Sequence, residues 1–190
     1  MAVDRRTASV FFVIALLAAA PAQAQSRSMG TFQGLFTPHL GATVGGDVTQ
    51  ARITFGMSVA VQEQDGWGAE LDFGRATDTA AGNQILDLTT YMVNAVWMRP
   101  TGVIKPFGLA GIGVLQANGC PAPCNRPATT YDLGWTAGGG VLTVLNEWIG
   151  VRGDVRFFFA SADHPDLGRP DNLDFWRVSM GVTLMWSILP

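Results

Sequence analysis

Hydrophobic and polar residues alternate along much of this chain with a period of two, the pattern of β-strands that turn one face to an apolar phase. The clearest run is 52–61, where Ile53, Phe55, Met57, Val59 and Val61 alternate with Arg52, Thr54, Gly56, Ser58 and Ala60. After a turn at 62–66, Trp67, Ala69, Leu71 and Phe73 alternate with Gly68, Glu70, Asp72 and Gly74. Six further strands are predicted near 35–45, 86–98, 105–116, 132–144, 149–159 and 175–186. In the first, Leu40, Ala42 and Val44 oppose His39, Gly41 and Thr43. In the fourth, Tyr91, Val93, Ala95 and Trp97 oppose Thr90 and Asn94, while Leu88, Met92 and Met98 break the rule by falling on the polar side. Ala110, Ile112 and Val114 oppose Gly111 and Gly113 in the fifth. The sixth sets Leu133, Trp135, Ala137 and Val141 against Asp132, Thr136 and glycines. The seventh sets Val151, Val155, Phe157 and Phe159 against Arg152, Asp154 and Arg156, and the last sets Trp176, Val178, Met180, Val182, Leu184 and Trp186 against Arg177, Ser179, Gly181 and Thr183.

Connection lengths add a second pattern. Those at 62–66, 99–104 and 145–148 are short; those at 75–85, 117–131 and 160–174 are longer, with 46–51 the short exception. Short periplasmic turns alternating with longer extracellular loops are expected of a transmembrane barrel. The N-terminus reads as a secretory signal: Arg5 and Arg6, an apolar core at 10–20, Pro21, then Ala22-Gln23-Ala24 as a small-x-small cleavage site. The expected organisation is a signal peptide over 1–24, a short periplasmic segment over 25–34 and a barrel over 35–190. No later segment has 18 consecutive apolar residues, so a membrane-embedded mature chain could cross only as a closed barrel. The fold class expected is therefore all-β, a closed antiparallel up-and-down transmembrane barrel of about eight strands.

Composition sharpens which face meets lipid. The chain is 48% hydrophobic and 14% charged, with 23 glycines, and Lys105 is its only lysine. A water-exposed surface normally mixes many Lys with Asp and Glu; the non-greasy face here is rich in Gly, Ser and Thr, which suits a packed lumen. The net charge of −3, with no basic cluster, gives no nucleic-acid signal. Trp67, Trp97, Trp148 and Trp186 fall at predicted periplasmic strand ends, and Trp135 and Trp176 at predicted extracellular ends. That is the placement of an aromatic girdle at two lipid–water interfaces.

Near the end of the last strand, Ser179, Gly181, Leu184 and Trp186 fill a polar-x-Gly-x-x-apolar-x-aromatic pattern. On these residues and the strand pattern, the chain resembles the small outer-membrane β-barrels of Gram-negative bacteria, the OmpA transmembrane domain and OmpX-like proteins. In that family the pattern is an assembly signal and its aromatic usually ends the chain, whereas Ser187 to Pro190 follow here. The resemblance implies residence in the outer membrane, lipid as the surrounding partner and the barrel-assembly machinery as a partner in biogenesis. A monomer is the expected oligomeric state.

The lumen face carries Arg52, Arg152, Arg156 and Arg177 against Glu70, Asp72, Asp132 and Asp154. Buried charge must be paired, so an internal salt-bridge network is expected, and it argues against a wide pore. Cys120 and Cys124 lie in the fifth-to-sixth connection of an exported chain and are expected to form a loop disulfide. His39, Ser58 and Glu70 lie on adjacent strands at similar depth and could approach as a Ser-His-acid set; a closed lumen admits no lipid substrate, so packing is the expected role. His164, beside Asp163 and Asp166, reads as a solvated loop rather than a metal site. No enzyme activity, cofactor or metal is expected. The leading function class is a structural or surface-interaction barrel; a narrow OmpW-like channel for small or apolar solutes is the alternative, and a lipid-modifying enzyme a third.

Overall fold

The computed structural model describes residues 32–81, 84–119, 128–161 and 172–188. The signal and cleavage residues, Cys120, Cys124 and His164 lie outside them. Eight strands form one closed barrel in chain order: β1 (Gln33–Gly45), β2 (Val48–Gln62), β3 (Trp67–Ala81), β4 (Gln84–Met98), β5 (Ile104–Gly119), β6 (Ala128–Val144), β7 (Ile149–Ser161) and β8 (Asn172–Ser187). Every neighbouring pair is antiparallel, and β1 pairs with β8 to close the cylinder. Closure removes sheet edges, so the backbone groups of the strands are satisfied within the protein. Among the described residues no helix is long and apolar enough to cross a membrane, which says nothing against crossing by strands.

The facing read from the alternation holds on all eight strands. Ile53 is 75% exposed and Met180 67%, whereas Arg156 and Arg177 are each 1% exposed. The barrel is thus greasy outside and charged inside, the reverse of a soluble lipid-carrying barrel.

Strand ends differ from expectation. Residues 75–81 and 84–85, expected in a long loop, continue β3 and β4 almost to their turn; β2 begins at Val48 rather than Arg52. The expected length alternation therefore fails at the third connection, as it does at the first. At the end of the barrel away from the chain termini, called the far end here, the facing chemistry reverses. Outward positions become polar, with Arg75, Asp87, Gln116, Asn118 and Thr129. Arg75 pairs with Asp87 at 3.3 Å, and Asn118 Oδ1 accepts hydrogen bonds from Thr129 and Gln116. Many inward positions there become apolar, with Ala76, Leu88, Leu115, Ala117 and Ala160. That is how a strand reads once water replaces lipid outside it, and it erased the period-two signature that defined the strands below. As a result Trp135 stands at mid-strand in β6, and Trp176 lies well inside β8, rather than at strand ends.

Turns at the opposite, terminal end are fixed locally. In the β2–β3 turn Gly66 takes a φ of 97°, which a side chain would strain, and its carbonyl accepts from Gln62 Nε2 at 2.9 Å. Asn146 Oδ1 accepts from the amides of Trp148 and Ile149, an Asx turn between β6 and β7. The β1–β8 seam has its own devices. The Trp186 indole lies over Gly34 of β1, where any Cβ would collide with it. Thr37 and Pro38 have no ladder partners in β8, and the Thr37 and Thr183 hydroxyls bridge that gap at 2.9 Å.

Candidate functional site

The lumen is built in three layers. At its centre six charged residues interlock. Glu70 and Asp72 come from β3; Arg152, Asp154 and Arg156 come from β7, which pairs with neither β3 nor its neighbours; Arg177 comes from β8. Their spacing by two along each strand puts them all on the inward face. Arg156 is the hub. Its Nη1 lies 2.9 Å from Glu70 Oε1 and 3.2 Å from Asp72 Oδ2, and its Nε and Nη2 each lie 3.1 Å from an Asp154 oxygen. Arg152 meets Glu70 at 2.6 Å and Asp154 at 3.2 Å; Arg177 meets Asp72 at 2.6 Å. Neutral donors complete the carboxylates: Asn94 Nδ2 to Glu70 at 3.0 Å and Ser179 Oγ to Asp154 at 2.8 Å. The three cations equal the three carboxylates, so the cluster is neutral as well as buried. Because it joins β3 to β7, it braces the cylinder across its width.

Glycine makes the room. A Cβ on Gly74 would collide with the guanidinium of Arg177; one on Gly138 or Gly140 would collide first with the β7 backbone, at the carbonyls of Val155 and Gly153, and would also press on Arg156 Cγ at 3.1 Å and Asp154 Cβ at 2.7 Å. Long side chains can therefore lie flat across an eight-stranded interior that is only just wide enough to be filled.

Above and below lie apolar layers, and these correct the expectation of a lumen filled by charge throughout. Toward the far end Leu88, Met92, Leu115, Ala117, Phe158, Leu173 and Phe175 pack together, with Phe158 and Phe175 stacked at 5.0 Å. Toward the terminal end Leu35, Ala60, Val96, Met98, Phe107, Leu109, Leu142 and Met185 do the same. Leu88, Met92 and Met98, the residues that broke the alternation in the fourth strand, belong to these layers. Each layer also presents an aromatic face to the ions: Arg177 stands 4.9 Å from the Phe158 ring centre and Arg152 4.2 Å from that of Phe107. The hollows against Arg152 and Arg177 measure about 10 Å³ each, no more than one water needs.

Of the remaining expected lumen charges, Asp132 is buried and Arg52 half-buried, both nearer the far end, and both are engaged by partners. His39, Ser58 and Glu70 are not assembled as a catalytic set. All three are buried, but the Glu70 carboxylate is held by Arg152, Arg156 and Asn94, and His39 Nε2 has no hydrogen-bond partner. No group of three or more metal-ligating side chains forms among the described residues.

Outside, all six tryptophans project from the barrel and are 40–66% exposed. Trp67 and Trp97 are cross-strand partners. Trp176 packs on Phe157 at 5.1 Å, and Phe73 on Tyr91 at 5.4 Å. Phe73, Tyr91, Tyr131 and Phe159 join the upper aromatic level, which tryptophan counting alone missed; outward parity on the same strands would have found them. Of the four pattern residues in β8, Ser179 and Gly181 face inward, and Leu184 and Trp186 outward.

No protein-family model matches the sequence, and no curated protein matches it. The fold has clear structural relatives. Neisserial surface protein A superposes with a TM-score of 0.58 at 12% identity, over 80% of this chain and 96% of that one. The N-terminal β-barrel domain of Pseudomonas aeruginosa OprF gives 0.60 at 12%, over 83% and 100%. Ail, the attachment invasion locus protein of Yersinia pestis, gives 0.52 at 13%, over 84% and 100%. The likeness is one of fold. These neighbours are small eight-stranded outer-membrane barrels, as the OmpA- and OmpX-like resemblance implied.

Proposed function

We propose that this chain is an integral outer-membrane barrel with a sealed lumen, serving a structural or surface-interaction role rather than conducting solutes. The observation that carries the reading is the inversion of the barrel: apolar residues outward on all eight strands below the polar far end, around a buried, neutral ion layer capped at both ends. A soluble protein rarely exposes apolar patches beyond a few hundred Å², and lipid is the solvent that this surface suits. Trp176 and Trp186 both face outward on β8. At about 3.3 Å per residue and a tilt of roughly 40°, their levels are about 25 Å apart, the height of the apolar band of such barrels. The terminal end then faces the periplasm, after export by the signal at 1–24 and assembly through the pattern at Ser179, Gly181, Leu184 and Trp186. Far-end strands rise past the aromatic level into water. Two of the similar barrels are a surface protein and an attachment protein, which favours the far-end hairpins as the active part.

The test is refolding of the mature chain into lipid. Migration on SDS gels should change on boiling, because the strand bonds all close within the protein, and planar-bilayer recordings should stay flat. Reproducible single-channel steps from the unaltered protein would favour the narrow-channel alternative and overturn the sealed reading.

A further inference from the structure

The terminal-end mouth holds a feature the sealed barrel does not require. A pocket of about 230 Å³ opens there, its lining including Gln33, Gln62, Glu63, Arg99, Lys105 and Ser187. Its inward polar residues stand directly over the lower apolar layer. Two residues deeper on the same strands, Gln33 gives way to Leu35, Gln62 to Ala60, Lys105 to Phe107 and Ser187 to Met185. The mouth charges are therefore cut off from the ion network by a greasy floor. They are also unpaired with one another: no ion pair within 4 Å joins Glu63 to Arg99 or Lys105 among the described residues, whereas the exposed Arg75 and Asp87 do pair. The walls are held in place. Gln62 donates to Gly66 O, the amide of Met98 donates to the same carbonyl at 2.8 Å, and the amide of Arg99 donates to Pro106 O at 2.9 Å.

We propose that this mouth binds a short zwitterionic peptide of dipeptide size, with a carboxylate at one end and an ammonium at the other. Arg99 and Lys105, the chain's only lysine, take the carboxylate; Glu63 takes the ammonium; the glutamines offer amide donors and acceptors to the peptide bond. The pocket, about 230 Å³, is smaller than the roughly 300–1,000 Å³ of sites for drug-sized ligands, so it admits a ligand of dipeptide size and not a folded partner. A lipid headgroup fits less well, because Gln33, Gln62 and Lys105 point toward the barrel axis, away from the outward Trp67 and Trp97 where acyl chains run. That the peptide is periplasmic rests on the orientation proposed above; the pocket chemistry does not.

The mature protein in lipid nanodiscs would be titrated with dialanine while backbone amide resonances are followed by NMR. Saturable shifts are expected at 62–66 and 99–105. Dialanine amide, which lacks the carboxylate, and the Lys105→Gln and Arg99→Gln variants should each bind at least tenfold more weakly. N-acetyl-dialanine and Glu63→Gln should lose several-fold. Heat-modifiable migration of every variant verifies the fold. Absence of saturable shifts, unchanged affinity in Lys105→Gln, or inorganic phosphate binding as tightly as dialanine would overturn the proposal. Orientation is read separately, from an N-terminal tag on the mature chain: antibody access in intact cells would overturn the periplasmic assignment while leaving the binding result standing.

Discussion

The middle of the lumen and its two ends solve the same packing problem with opposite chemistry. In the middle, three arginines and three carboxylates fill the space and glycines give way to them; toward the ends, leucine, methionine and phenylalanine fill most of it. Neither solution works alone. An ion cluster open to water would be screened and weak, and an all-apolar interior would lack the directional brace between β3 and β7. The end layers cover the ions with apolar side chains on both sides, so the ions interact in a low-dielectric setting where pairing matters most. The lumen is best understood as a sandwich in which the outer layers set the strength of the inner one.

The harshest way to break that arrangement is to remove the hub. Arg156→Ala leaves Glu70, Asp72 and Asp154 to share Arg152 and Arg177, three buried carboxylates to two arginines, and breaking buried pairs in this way costs about 3–5 kcal/mol. Urea unfolding in lipid would measure it; a loss below about 1 kcal/mol, the scale of an exposed pair, would mean the middle layer is wet. Next come the end layers: Leu115→Ala above and Leu142→Ala below should each cost about 2–5 kcal/mol through lost contacts and cavity. The sharper result is their coupling to the hub. With both leucines truncated, water should reach the ions and the cost of Arg156→Ala should fall by more than about 1 kcal/mol, beyond the additivity expected of independent sites. Strict additivity would reduce the end layers to filler. On the outer face, Met180→Arg, about midway between Trp176 and Trp186 on β8, should cost roughly 2–4 kcal/mol in bilayer and far less in a soluble barrel. The smallest effect is expected at the exposed far-end pair, where Arg75→Ala should change stability by about 0–1 kcal/mol; a larger loss there would place that level inside the membrane.

Strand facing was legible in the sequence because lipid imposes one rule on every outward position it touches: Ile53 to Val61 or Trp176 to Trp186 can be read by eye. The six core ions were legible for the complementary reason, that arginine and carboxylate on a strand's minority face have nowhere else to go. What sequence could not show was how the ions divide. Which carboxylate meets which arginine depends on cross-barrel geometry between β3 and β7, strands that share no ladder. The end layers were hidden because an inward leucine looks like a fault in the alternation, as Leu88 and Met98 did. The far-end strand extensions were hidden because alternation inverts where the outer solvent changes, so Arg75 and Ala76 carry strand geometry with the wrong colours for a membrane.

The seam between β1 and β8 has a kinetic consequence. Every other strand pair joins chain neighbours and can zip as soon as both strands exist, but this one must bring Gln33 to Ser187, so its loop-closure entropy is the largest and it should form last. Until then both edges stand open and prone to wrong pairing. Pro38 gives the same boundary a missing amide, with a threonine pair spanning the gap and Trp186 clasped over Gly34 below. A barrel pulled apart or thawed by denaturant should therefore unroll from this line, and a crosslink between β1 and β8 should slow unfolding more than one across any other strand boundary.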